Sequence, residues 1–117
     1  MKQFHVYILA NARRGAFYVG MTSDLIQRCH QHRAGISNSH TSRYSIRHLV
    51  WYETHDDPEI AIHREKRIKR WTREQKFQVI EESNPDWRDL SFLLGGAAIS
   101  ACPVLPDPRV PHPRHRG

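Results

Sequence analysis

A phenol, a guanidinium, an imidazole and a carboxylate stand in the sequence where folding could bring them together. Tyr7 and Tyr18 each lie in a short run of aromatic and β-branched residues. Arg28 and His32 are four apart, so in a helix they project from one side, beside the apolar face of Leu25, Ile26 and Cys29. Glu65 is the sole carboxylate within the basic run Arg64 to Arg70. A phenol near pKa 10 must drop by roughly three units, about 4 kcal/mol, to be a good base at neutral pH, so a cation, a metal-bound water or a histidine has to stand beside it. Each residue also has a plainer reading. Glu65 could pair with Lys69 four residues on, worth a few tenths of a kcal/mol, and Arg28 could be a solvated cation.

The elements that would position these groups are legible in order. Phe4 to Ala10 and Ala16 to Met21, joined by turn residues Asn11 to Gly15, read as a β-hairpin. Thr22 or Ser23 caps a helix running from about Ser23 to Ala34, with Gly35 as terminator. After a polar stretch from Ile36 to Ser45, Arg47 to His55 form a third strand. Asp56 or Asp57 with Pro58 and Glu59 opens a second helix, with Ile60, Ala61, Arg64, Ile68 and Trp71 along one face. Thr72 to Gln75 fit a capping box for a third helix, with Phe77 and Ile80 inward, Lys76 outward, and Asn84-Pro85 as its end. Trp87, Leu90, Phe92, Leu93 and Leu94 supply a last segment against the core. This order predicts an α+β fold, a small three-stranded antiparallel sheet flanked by helices, over residues 1–94. Residues 95–117, rich in proline, arginine and histidine, are expected to be a flexible tail.

Composition narrows the function. Lysine and arginine outnumber aspartate and glutamate 18 to 12, for a net charge of +6, which draws polyanions and makes nucleic acid the leading partner class. No apolar run approaches the roughly 20 residues of a membrane span, and the N-terminus lacks the apolar core of an export signal, so a cytoplasmic protein without membrane association is expected. Cys29 and Cys102 are read as free thiols. The 9 histidines are scattered without a flanking cysteine pair, which disfavours metal storage.

His5-Val6-Tyr7, Phe17-Tyr18-Val19-Gly20-Met21-Thr22, Leu25-Ile26-Gln27-Arg28, His32, and Ala61 through Trp71 together resemble the GIY-YIG nuclease superfamily, in its small single-domain bacterial branch (UPF0213-like). The resemblance covers residues 4 to about 83. It departs from the family pattern in lacking the glycine of the first motif and in carrying Met21 where several active members have lysine or arginine. The resemblance implies a metal-dependent endonuclease that hydrolyses phosphodiester bonds in DNA. It assigns Tyr7 or Tyr18 to activating water, Arg28 to the scissile phosphate, His32 to orienting or deprotonating a tyrosine hydroxyl, and Glu65 to holding a single Mg2+ or Mn2+ ion. Gly20 allows close backbone approach. Lys66, Lys69, Arg70, Arg73 and Lys76 are expected to track the nucleic-acid backbone, aided by Arg109, Arg114 and Arg116, in a monomer or weak dimer. The alternative is a catalytically silent nucleic-acid-binding module of the same fold.

Overall fold

The computed structural model describes residues 2–35 and 44–107. Its centre is a three-stranded antiparallel sheet of β1 (Phe4–Ala10), β2 (Phe17–Thr22) and β3 (His48–His55), in the order β2-β1-β3. β1 and β2 form the expected hairpin. Its turn is closed by Gly15 N–H donating to the Ala12 carbonyl at 3.0 Å and by the Asn11 side-chain oxygen accepting from Ala16 N–H at 3.0 Å.

Both faces of the sheet are covered, so β1 is buried from Val6 to Ala10 rather than alternating between core and water. One face packs Val6, Ile8 and Val19 with Ala61, Ile68, Phe77, Ile80 and Trp87. The other packs Tyr7 and Leu9 with Leu25, Cys29, Leu49 and Leu90. The register slips between Ile8, opposite Trp51, and Leu9, opposite Leu49, so that Val50 is the extra residue of a bulge. The bulge sends Leu49 to one core, and Val50 and Trp51 to the other.

Among the described residues, four α-helices supply the cover: α1 (Leu25–Arg33), α2 (Pro58–Arg70), α3 (Arg73–Ser83) and the short α4 (Ser91–Leu94). The α1 cap is Asp24, which accepts from Gln27 N–H, while Thr22 Oγ1 accepts from Asp24 N–H. The cap therefore lies one or two residues beyond the expected Thr22 or Ser23. Asp57 caps α2 ahead of Pro58, and Thr72 with Gln75 forms the reciprocal capping box of α3.

Two expectations change. Lys76 does not point outward: it is buried, its Nζ donates to the Lys69 carbonyl at 3.2 Å and lies 4.9 Å from the Phe17 ring centre. The stem is long enough to cover the hairpin while its head finds a backbone acceptor. Nor are residues 95–107 loose. Cys102 and Leu105 are buried, Leu105 N–H donates to the Trp87 carbonyl at 2.9 Å, Asp89 N–H to Pro103 at 2.8 Å, and Arg13 N–H to Pro106 at 2.8 Å. Two apolar anchors and strand-like backbone pairing fix a stretch whose composition looks unstructured. Arg109, Arg114 and Arg116 lie outside the described residues.

Asp89 joins the second face together. Its carboxylate accepts from Leu49 N–H, from Ser91 N–H and hydroxyl, and meets His48 Nδ1 at 2.9 Å and Arg33 at 3.5 Å. Burial acts to raise its pKa, but the hydrogen bonds from His48 and Ser91 outweigh it and hold the carboxyl below the usual range. A group depressed in the folded state stabilises above its unfolded pKa, and that stability is lost as pH falls through the folded value. Replacing Asp89 by alanine is expected to cost about 3 kcal/mol at neutral pH by leaving buried donors unpaired. Urea titrations of both proteins should show the gap between them narrowing as the pH falls below the ordinary aspartate value of about 3.9; a gap independent of pH would rule out this role for the carboxylate.

Candidate active site

The second face of the sheet gathers the two tyrosines. Tyr7 sits on the central strand opposite Gly20 of β2, and Tyr18 lies two residues before that glycine on the same strand face. A Cβ built on Gly20 would stand 2.7 Å from both Cζ and the hydroxyl of Tyr7 and 2.9 Å from Cε2 of Tyr18. The glycine is required by this contact: the rings close over bare backbone.

His32 completes the cluster from α1. It is buried, its Nε2 is 3.4 Å from the Tyr7 hydroxyl, and its ring centre is 5.5 Å from that of Tyr18 and 6.1 Å from that of Tyr7. The helix is held there by Leu25 and Cys29, whose burial against Leu9 and Leu49 turns the next stripe, Arg28 and His32, toward the sheet. Burial, and then the Arg28 cation, lower His32 to about 4, so its imidazole is neutral at pH 7. Burial likewise pushes the Tyr7 phenol above its ordinary range; Tyr18 and Glu65 add to the rise while Arg28 opposes it. The half-buried Arg28 thus acts electrostatically on both His32 and Tyr7. Cys29 behaves as core, its thiol raised to about 11 by burial.

Glu65 stands one turn from Ala61 and one from Ile68, on the stripe of α2 that faces the sheet. It is therefore not a solvated glutamate: its side chain is 19% exposed. The ion pair with Lys69 is nonetheless present, at 2.9 Å through Oε2. Among the described residues no three histidine, cysteine, aspartate or glutamate side chains cluster as a metal cage. A single carboxylate suits Mg2+ or Mn2+, which keep several waters and borrow phosphate oxygens from substrate.

Met21 packs against the first core, on the sheet face away from Gly20. Lysine at this position would start from the opposite side of β2 to the tyrosine pair. Of the expected cationic track, Lys66 and Arg70 are exposed on α2, Lys69 is committed to Glu65, and Arg73 donates to the carbonyls of Arg14 and Gly15 while lying 4.9 Å over Phe77. Lys76, buried over Phe17, and Arg73, bonded to two carbonyls of the turn, also hold the hairpin to α3. Two residues passed over in the sequence matter here. His5, two before Tyr7, has its edge on Tyr52 and a buried Nδ1 without a hydrogen-bond partner; Arg67 joins Lys66 and Arg70 on α2. The His5-x-Tyr7 spacing signalled the first, since alternate residues share a strand face.

The family model of the GIY-YIG catalytic domain matches residues 3–78, a span that holds both tyrosines, Arg28, His32 and Glu65. The chain belongs to the GIY-YIG family. Among its relatives, a UPF0213 protein of Haloquadratum walsbyi is 33% identical over 82 residues, covering 70% of this chain and 92% of the relative. A UPF0213 protein of Staphylococcus aureus is 30% identical over 78 residues, covering 67% and 95%. The solution structure of a UPF0213 protein from Bacillus halodurans aligns with a TM-score of 0.46 at 27% identity, over 70% of this chain and 86% of that one. GIY-YIG membership points to a nuclease-type protein that meets nucleic acid. No helix among the described residues is long and apolar enough to cross a membrane.

Two outcomes test this centre in the GIY-YIG protein. Gly20→Ala should lose about 2 kcal/mol in denaturant unfolding, because both rings must shift to admit a methyl group; unchanged stability would show that the tyrosines are not held against β2. In a proton NMR titration, His32 should stay neutral from pH 8 down to about pH 5 and titrate near 4. A midpoint close to the ordinary histidine value of about 6.5 would show the ring to be solvated.

Proposed function

We propose that the protein is a metal-dependent endonuclease that hydrolyses phosphodiester bonds in DNA, including structured or damaged DNA, in the bacterial cytoplasm. The observation that carries this reading is the closure of Tyr7, Tyr18 and His32 over Gly20, with the Arg28 cation acting on both Tyr7 and His32.

Hydrolysis needs a water oxygen delivered to phosphorus, a proton removed from that water, and the phosphate held while the bond to the leaving oxygen breaks. Tyr7 and Tyr18 are the candidate water activators. Tyr7 has a proton acceptor beside it: His32, kept neutral by burial, has a ring nitrogen within hydrogen-bonding reach of the Tyr7 hydroxyl. Arg28, half-buried at the rim, presents a forked set of donors that matches two phosphate oxygens. Glu65 would hold one magnesium or manganese ion. Such an ion, when bound, neutralises charge on the phosphate and stabilises the leaving oxygen. Gly20 lets the two rings approach each other over the strand.

A second reading, a silent nucleic-acid-binding module, draws on one observation: Lys69 already occupies Glu65 Oε2. Supercoiled plasmid and branched DNA incubated with magnesium, manganese or EDTA separate the two. The nuclease reading expects metal-dependent nicking that falls about 100-fold or more in Tyr7→Phe, Arg28→Ala and Glu65→Ala. Because the Tyr7 phenol is held protonated, the wild-type rate should climb from about pH 7 to about pH 9. Binding without cutting under every condition would leave the silent module.

A further inference from the structure

The outer side of α2 carries a groove of about 800 Å³ that neither the tyrosine centre nor its partners use. Ile60, His63, Lys66, Arg67, Arg70 and Trp71 line it. On a helix advancing 100° per residue, Arg67 points nearly opposite to Glu65, so the groove and the catalytic carboxylate occupy different sides of the same helix.

Its charge is uncompensated. Arg13, Arg14, Arg33, Arg64, Lys69 and Arg88 each reach a carboxylate. Lys66, Arg67 and Arg70 are exposed and, among the described residues, pair with none. No acidic residue lines the groove. Its apolar part is Ile60, 54% exposed, and the half-buried Trp71, which packs against the first core and has the Arg64 guanidinium, itself lining the groove, over its ring at 5.3 Å from the centre. Arg64 is itself held by Glu53 of β3 at 2.8 Å.

Cations alone would suit any polyanion. Cations flanking an exposed aliphatic and an anchored indole suit one whose backbone is charged and whose bases are free to stack, as unpaired nucleic acid offers and a closed duplex does not. We propose that this groove binds an unpaired nucleic-acid strand, with Lys66, Arg67 and Arg70 on its phosphates and its bases against Trp71 and Ile60. This rests on the nuclease reading only for its biological setting: the strand is held across α2 from the centre that cuts.

The test is fluorescence anisotropy of labelled oligothymidylate, oligouridylate and a hairpin duplex, each titrated with wild type and with an Arg67→Ala/Arg70→Ala double variant over a range of salt. Both substituted positions are exposed, and thermal melts check that the fold persists. Expected are at least tenfold weaker binding of the unpaired strands by the variant, a log K against log salt slope shallower by about 1.4, from about 0.7 per lost phosphate contact, and quenching of tryptophan emission on binding, since Trp51 and Trp87 are buried. Equal binding and equal slopes in the two proteins, or a wild type that prefers the duplex, would overturn the proposal. Plasmid nicking, measured separately, keeps the two readings apart. A protein that cuts nothing yet needs Arg67 and Arg70 for the strand loses the nuclease reading and keeps the groove; one that cuts while the double variant binds unchanged does the reverse.

Discussion

From Val6 to Ala10, β1 meets water on neither face, and both its edges are paired. From that burial follow the two helical layers, the paired backbone on both sides, and the unusual situation of Tyr7, whose ring and hydroxyl are inside while the strand holding it is fixed by a core on the opposite face. A polar group placed there needs a partner close by. His32 is that partner, and its own burial keeps it neutral and able to share a proton. The site lies within the core, and the consequence is that Tyr7 is harder to ionise than a phenol in water.

Charge in this protein divides into two populations. One is structural: Arg14 bridges Glu74 and Glu81, Arg64 binds Glu53, and Arg73 and Lys76 stitch the hairpin to α3 through carbonyls and aromatic rings. Glu81 is held down to about 2 chiefly by its hydrogen bonds from Arg14. A second group, which includes Lys66, Arg67 and Arg70 on α2, is left to solvent. A net charge of +6 says nothing about which cation belongs to which group.

The elements were legible because their punctuation is local. Pro58 after Asp57, and Thr72 with Gln75, mark helix starts by chemistry confined to one turn, and the hairpin is announced by alternating aromatic and β-branched runs. The tyrosine, arginine, histidine and glutamate set was legible as a pattern, and the structure sets both tyrosines beside His32 with Arg28 in reach. The inward direction of Lys76 is not legible because a lysine's direction on a weakly amphipathic helix depends on what lies across from it, here Phe17 from the other end of the chain order. The packing of residues 101–106 is not legible in composition because their attachment is backbone to backbone, and composition does not report carbonyl partners.

That attachment separates two units usually taken as one. The family pattern ends at residue 78, yet Trp87 fills the first core, Leu90 the second, Asp89 ties β3 to α1, and Leu105 closes over Trp87 with the chain returning to the hairpin turn at Arg13. The stretch that carries the chemistry is shorter than the stretch that holds itself together. A gene fragment trimmed to the matched span would keep every candidate catalytic side chain while losing the material that makes their geometry cooperative.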